Sequence, residues 1–123
     1  MTGAGSLQAI AFVVLAGAGA AVRAVLGDRL NGRPPRGAPE LDLPWGTLGA
    51  NLAASFVLAV LVGRDVGSAA VTVGGLGALS TWSTFAVEVI ELLGAGRRWA
   101  ALGYGMLTLG GAVGAAWVGL QLP

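Results

Sequence analysis

The sequence predicts an all-α membrane protein with four transmembrane helices, the third broken in mid-membrane. Three observations carry that reading. Of 123 residues, 55% are hydrophobic and 11% charged, where soluble domains carry about a quarter charged residues. The apolar residues gather in four runs, each near the roughly 20 needed to cross a hydrocarbon core. Residues 74–88, GGLGALSTWSTFAVE, then set three glycines, four hydroxyl side chains, a Trp and a Phe inside the third run. Lipid offers a loosened backbone no hydrogen bonds. Such backbone survives at that depth only where it is buried in protein or lines a watery cavity. A chain this short that breaks a helix there reads most simply as one that moves something across the bilayer.

The chain is one four-helix transmembrane domain over residues 1–123, with spans at about 7–26, 45–62, 69–93 and 99–122. No Lys or Arg precedes the first run, which is long for a signal peptide, so it is read as a retained span. Its AGAGAAV, residues 16–22, has the look of a dinucleotide fingerprint. No strand precedes it, however, and the run is apolar, which leaves helix packing. Residues 27–44 hold four of the five prolines, three Arg and three acids, and form a solvated loop. The second span is short; the third is long, with room for a break. Residues 63–67 (GRDVG) and 94–98 (GAGRR) are tight turns, which make antiparallel neighbours. Trp45, Trp99 and Trp117 sit near span ends, where an amphipathic ring prefers the headgroup level.

Composition excludes several function classes. Cys and His are absent, which removes disulfides, thiol nucleophiles, thiolate zinc sites and imidazole acid–base chemistry. The chain is therefore not read as an enzyme. Seven Arg nearly balance six acids, and a net charge of +1 gives no reason to expect nucleic acid as a partner. Gly is 22 of 123, against a usual share of about 7%, and small residues let membrane helices approach closely. Four short helices enclose little volume, so a broken third span needs a second surface over it, and a dimer is the smallest remedy. Gly17, Gly19, Ala20, Gly49, Ala53, Gly103, Gly110 and Gly114 supply candidate faces.

Several polar residues stand inside or at the ends of the spans. Arg23 has two readings: a charge snorkelling to the interface, or a fixed positive charge at a vestibule that concentrates anions. Asn51, within GTLGAN, is either an interhelical hydrogen-bonding residue or a pore-lining donor with two N–H groups. Thr81, Trp82, Ser83, Thr84 and Phe85 follow the glycine cluster, and Trp82 and Phe85 share a helix face. Those rings are packing, or their positive edges are aimed at an anion. Glu88, one turn on, is a buried hydrogen-bonded acid or faces water; Glu91 is interfacial. Tyr104 and Thr108 share a face of the fourth helix, as core or as the completion of a polar track.

Taken in order, AGAGAAVR ending at Arg23, GTLGAN ending at Asn51, and GGLGALSTWSTFAVE at 74–88 resemble the Fluc (CrcB-type) fluoride channels across essentially the whole chain. The third motif is by far the most specific. The resemblance implies a fluoride-selective channel in the cell membrane that passively exports cytoplasmic fluoride and lowers its toxicity. It also implies an antiparallel, dual-topology dimer with two pores and a structural sodium ion, Na+, at its centre. By motif position, Asn51 lines the pore and Trp82 and Phe85 take the places of two pore phenylalanines. Read from their placement in the spans, Thr81, Ser83, Thr84, Tyr104 and Thr108 join the fluoride path and Glu88 lies at the vestibule, where Arg23 matches the family's motif arginine. Gly77 and Ser80 offer backbone carbonyls to Na+. Two departures are visible: Trp82 stands where the pattern has Phe, which adds an indole donor, and Ser80 replaces a Thr. The rival reading is a small multidrug-type proton-coupled exporter, also four spans and an antiparallel dimer. It needs a membrane-embedded acid in the first span, and residues 7–26 contain none. A structural subunit of a larger membrane complex would leave the Gly-hydroxyl-aromatic run unexplained.

The Arg residues also carry topology. Arg23, Arg29, Arg33, Arg36, Arg97 and Arg98 fall on one side and Arg64 on the other. The positive-inside rule puts loops one and three in the cytoplasm and both termini outside. A homodimer of opposed copies would carry little bias, so the expected second subunit is this chain itself or, on the bias, a homologue of opposite orientation. A cysteine placed in loop one and labelled from each face of the membrane tests this: one-sided labelling is expected, and equal labelling from both faces would refute the bias.

Overall fold

Each of the four apolar runs is helical, and four helices are long and apolar enough to cross a membrane. The computed structural model describes residues 3–31, 42–65, 68 and 70–123. The elements are α1 (Gly3–Leu30), α2 (Trp45–Gly63), a π-helical segment (Ala70–Leu76), α3 (Gly77–Leu79), α4 (Trp82–Gly94) and α5 (Arg98–Gln121). Arg33 and Arg36, with most of loop one, lie outside the described residues.

Helix α1 continues four residues past the expected end at residue 26, because residues 27–30 carry no proline and Asn31 N–H still reaches Gly27 O at 3.0 Å. Pro44 precedes α2, where its missing N–H is harmless, and the first helical bond runs from Leu48 N to Pro44 O at 3.0 Å. The α4–α5 turn is a Schellman motif. Gly96 has φ +74, its N–H reaches Leu93 O at 3.0 Å, and Arg97 N–H reaches Leu92 O at 2.9 Å. Only a residue without Cβ takes that left-handed position freely. Arg97 Nη1 then donates to Asp42 O at 2.8 Å and ties this turn to the segment entering α2.

The third span is broken, as expected, and in a way the sequence did not disclose. It enters as a π-helix, a wide turn with poorer geometry found mostly at functional sites. It tightens into the single turn α3, then passes through two extended residues, Ser80 (φ −77, ψ 142) and Thr81 (φ −147, ψ 120). Helix α1 braces this weak stretch. A Cβ built on Gly19 would stand 2.2 Å from Gly75 O and 3.2 Å from Leu79 N, so the two backbones meet directly.

Helix α2 packs most heavily on α5 and is the most buried of the spans. The core is Leu43, Leu48, Phe85, Leu92, Ala101 and Tyr104. Of the small residues expected to form packing faces, Gly19 serves inside the chain. Gly17, Gly49, Gly103, Gly110 and Gly114 have open space where a Cβ would stand. Gly19→Ala is expected to destabilise the protein by about 1–3 kcal/mol through overpacking against Gly75. Thermal unfolding in detergent reads this, and Gly5→Ala, at a position with nothing within 4 Å, is expected to leave the midpoint unchanged.

Candidate functional site

One face of α2 is polar at every fourth position: Thr47, Asn51, Ser55. Residues four apart on a helix lie one above another. Facing them, α5 offers Tyr104, Thr108 and Ala112 at the same spacing, while the broken span contributes Ser80, Thr81, Phe85 and Glu88. The site is thus built in layers.

The outer layer centres on Glu88, which is buried. Its Oε1 accepts from Thr47 Oγ1 at 2.6 Å and from Asn31 Nδ2 at 3.3 Å; its Oε2 accepts from Tyr104 OH at 2.6 Å. A buried acid is expensive unless bonded, and hydrogen bonds to charged groups contribute about 1.5–3 kcal/mol each. Of the two readings of Glu88, the structure takes the buried, bonded one. On either side of it lie open spaces, one of about 270 Å³ lined by Asn31, Asp42, Glu91 and Arg97, the other lined by Ser83, Thr84 and Glu91.

The middle layer is the break. The helix ends meeting at Ser80 and Thr81 leave carbonyls on one side and amides on the other without intrahelical partners. Asn51 Oδ1 accepts from Thr81 N at 2.9 Å. Thr81 Oγ1 accepts from Thr84 N at 3.3 Å and so caps α4, and it also meets Ser83 Oγ and Thr84 Oγ1, each at 3.2 Å. Arg23 does not snorkel outward. Its Nη1 donates to Thr84 Oγ1 at 3.2 Å, while its buried Nε has no partner.

Behind the break lies a cavity of about 130 Å³, lined by Asn51, Ser55, Ser80, Thr81, Trp82, Phe85 and Thr108 with Leu109 and Ala112. Two side chains point to its purpose. Thr108 Oγ1 is buried without a partner, and Asn51 bonds the Thr81 amide through Oδ1 rather than Nδ2. The positive N-terminal end of α4 lies at the same place. Hydroxyl and amide side chains, a helix N-terminus and two aromatic rings, with no carboxylate, make a small site suited to an anion. Ser55 and Ser80 also line a second cavity of about 190 Å³, with Gly77, Thr72 and Leu76.

Phe85 is buried between two rings, 5.2 Å from Trp82 and 5.4 Å from Tyr104, both tilted. Trp82 itself is 69% exposed and flanks the cavity from outside. Ser83 is exposed on the first turn of α4. The structure brings Asn51, Thr81, Phe85 and Thr108 together, sets Tyr104 and Glu88 one layer out, and ties Thr84 to Arg23. For the cation, no group of three or more acidic or His side chains gathers among the described residues, so any such ion would rely on main-chain oxygens. Gly77 is exposed at the break, where the carbonyl ends collect. That oxygen-only set fits a hard cation. Sequence reasoning missed Thr47 and Ser55, which the fourfold spacing through Asn51 signals, and Asn31, which no pattern marks.

A family model described as "CrcB-like protein, Camphor Resistance (CrcB)" matches residues 10–120. The chain is 36% identical to "Fluoride-specific ion channel FluC 1" of Symbiobacterium thermophilum, covering 89% of this chain and 91% of that protein. It is 37% identical to "Fluoride-specific ion channel FluC" of Bordetella pertussis, covering 93% of this chain and 89% of that one. It is 49% identical over 81 residues to "Fluoride-specific ion channel FluC 2" of Corynebacterium diphtheriae, covering 63% of this chain and 75% of that protein.

The bonding pattern separates stability from recognition. Tyr104→Phe removes a donor from buried Glu88 and is expected to cost about 1.5–3 kcal/mol. Thr108→Val removes a hydroxyl that has no well-formed hydrogen bond and is expected to lower the unfolding midpoint in detergent less than Tyr104→Phe does.

Proposed function

This chain belongs to the CrcB family, and from that membership and the geometry of the site we propose that it is a fluoride-selective channel of the cell membrane through which cytoplasmic fluoride leaves passively. The observation that carries the reading is the buried Thr108 hydroxyl, left without a partner beside the small cavity at the broken span that Asn51 also lines. Fluoride is small and strongly hydrated, so a pore must offer donors in place of its water. An amide, hydroxyls, a helix N-terminus and ring edges do so without a fixed cation in the cavity to trap the ion.

Arg23 and Glu88 belong to the vestibule. Arg23 draws the anion toward the first turn of α4. Glu88 has its oxygens occupied by Thr47, Tyr104 and Asn31, which mutes its repulsion of a passing anion. Asn51, Thr81, Thr84, Phe85 and Thr108 form the narrow path, with Trp82, Ser83 and Tyr104 at its margins. Export needs no energy input. Neutral HF enters from acidic surroundings and ionises in the cytoplasm. The inside-negative potential then drives the anion out by about 2.3 kcal/mol per 100 mV.

The working assembly is a dimer in the lipid bilayer, antiparallel, with a second copy of this chain or a homologue of opposite orientation. The exposed Gly77 and Trp82, and the open faces at Gly49, Gly103 and Gly110, support it. Gly77 and Ser80 would hold a Na+ ion through backbone carbonyls, where the ion neutralises oxygens that the break leaves unpaired.

Fluoride efflux from liposomes holding only this protein, with valinomycin shunting the voltage, tests the reading. Fast fluoride efflux without chloride efflux is expected. Thr108→Val and Asn51→Ala are each expected to lower it about tenfold or more while the protein still elutes at its native size. No fluoride efflux from well-folded protein alone, or with a homologous subunit of opposite orientation added, would defeat the channel reading.

A further inference from the structure

Asn31 lies just past the end of α1, and its one amide serves three partners. Its Oδ1 accepts from Gly46 N at 2.8 Å, and its Nδ2 divides two hydrogens between Thr47 Oγ1 at 3.4 Å and Glu88 Oε1 at 3.3 Å. The first bond satisfies one of the amides that α2 leaves open at its N-terminus. The other two reach the outer layer of the site. Both are long beside the usual 2.9–3.0 Å of an N–H···O bond, as fits one nitrogen shared between two acceptors. Side chains from α2, α4 and α5 already meet at Glu88, and Asn31 adds the end of α1 to that knot.

We propose that Asn31 is a positioning residue of the channel: it fixes the Glu88 carboxylate at the pore mouth and fastens it to the first turn of α2, from which Thr47 and Asn51 project. The proposal rests on the channel reading above. Its logic is in the choice of side chain. An acid at this position would accept from Gly46 but would set charge against Glu88. A Ser would accept from Gly46 but could not reach Glu88. A Gln would carry the amide one carbon too far. Asparagine alone gives an acceptor toward α2 and two donors toward the carboxylate from this distance.

Among the described residues, the charged and titratable groups facing Glu88 are few. Tyr104 on α5 bonds it directly. Arg23 on α1 reaches Thr84, one turn away. Asp42 before α2, Glu91 on α4 and Arg97 at the α4–α5 turn share its outer space. The Oε1 oxygen itself is bonded by Thr47 and Asn31, so a change at position 31 acts on that oxygen directly.

The test is fluoride efflux from liposomes, with protein-free leak subtracted, at neutral pH and after acidification. It compares wild type, Asn31→Asp, Asn31→Ser and the exchanged pair Asn31→Asp with Glu88→Gln. In Asn31→Asp two carboxylates crowd one site and cannot both stay ionised. Efflux is expected to fall about tenfold at neutral pH and to recover relative to wild type as a shared proton restores the bond. The exchanged pair puts amide and acid back in contact in the opposite order, and is expected to regain much of the efflux and lose the pH response. Asn31→Ser removes the bond to Glu88 without adding charge and is expected to lose efflux severalfold with no new pH response. It carries the test if the acid variant does not fold. Variants conducting like wild type would overturn the proposal. So would a loss that neither acid nor the exchange repairs, since that marks a merely structural residue. Absence of efflux in wild type itself condemns the channel reading instead. The Asn31–Glu88 contact is then judged by unfolding midpoints, where the exchanged pair must be more stable than Asn31→Asp.

Discussion

The structure depends on one constraint: a backbone broken in the middle of a membrane span must find its hydrogen bonds inside the protein. At residues 80–81 the helix opens, and the Thr81 amide is taken by a side chain of a different helix, Asn51. That bond fixes the depth of α2 against the third span. Asn51 also lines the cavity behind the break. Packing follows from the same requirement. Gly19 lets α1 lie on the backbone of the π-helical segment, so the stretch least able to support itself is supported by direct main-chain contact. The site and the fold are therefore solved together.

The layered polar face is the second consequence. Three hydroxyl or amide positions on α2 and two on α5 would be costly in lipid, and here they face one another across the break. Their bonds are unequal. In the outer layer everything is paired, with the Glu88 oxygens engaged by three donors. In the middle layer Thr108 Oγ1 is left over. A buried hydroxyl left free one turn deeper, with the unpartnered Arg23 Nε near the break, is what the proposed anion path would use.

Much of this was legible in the residues. Apolar run lengths gave the four spans, the Gly-hydroxyl run at 74–88 gave the break, the motifs gave Asn51 and Phe85 as pore residues, and helical spacing gave Thr108 a common face with Tyr104. What escaped has physical reasons. The π-helical entry to the third span depends on backbone contact with α1, which no local propensity encodes. The extension of α1 to Leu30 was hidden because loop composition, dominated by prolines further on, outweighed a short helical stretch. Thr47 and Ser55 were readable from their spacing about Asn51. Asn31 was not, since its partners are 15 to 57 residues distant in sequence and meet it only in the folded chain. Arg23 shows the opposite limit. Its position at a span end permits snorkelling, and only the structure turns the guanidinium toward Thr84.

A last step concerns what one copy leaves undone. Phe85 is enclosed, yet Trp82, its ring neighbour, is largely exposed, and Gly77 opens outward beside the unpaired carbonyls of the break. In a bilayer neither belongs against lipid: indole N–H and main-chain oxygen both need polar partners there. The open small-residue positions at Gly49 and Gly103 are where another backbone can approach. The same face thus shows both a need and the means to meet it. A cation held by main-chain oxygens would meet the need at Gly77, and a ring or hydroxyl from a second subunit would meet it at Trp82. The proposed dimer answers this incompleteness: a single copy builds one wall of the proposed path, and a second subunit would supply the other.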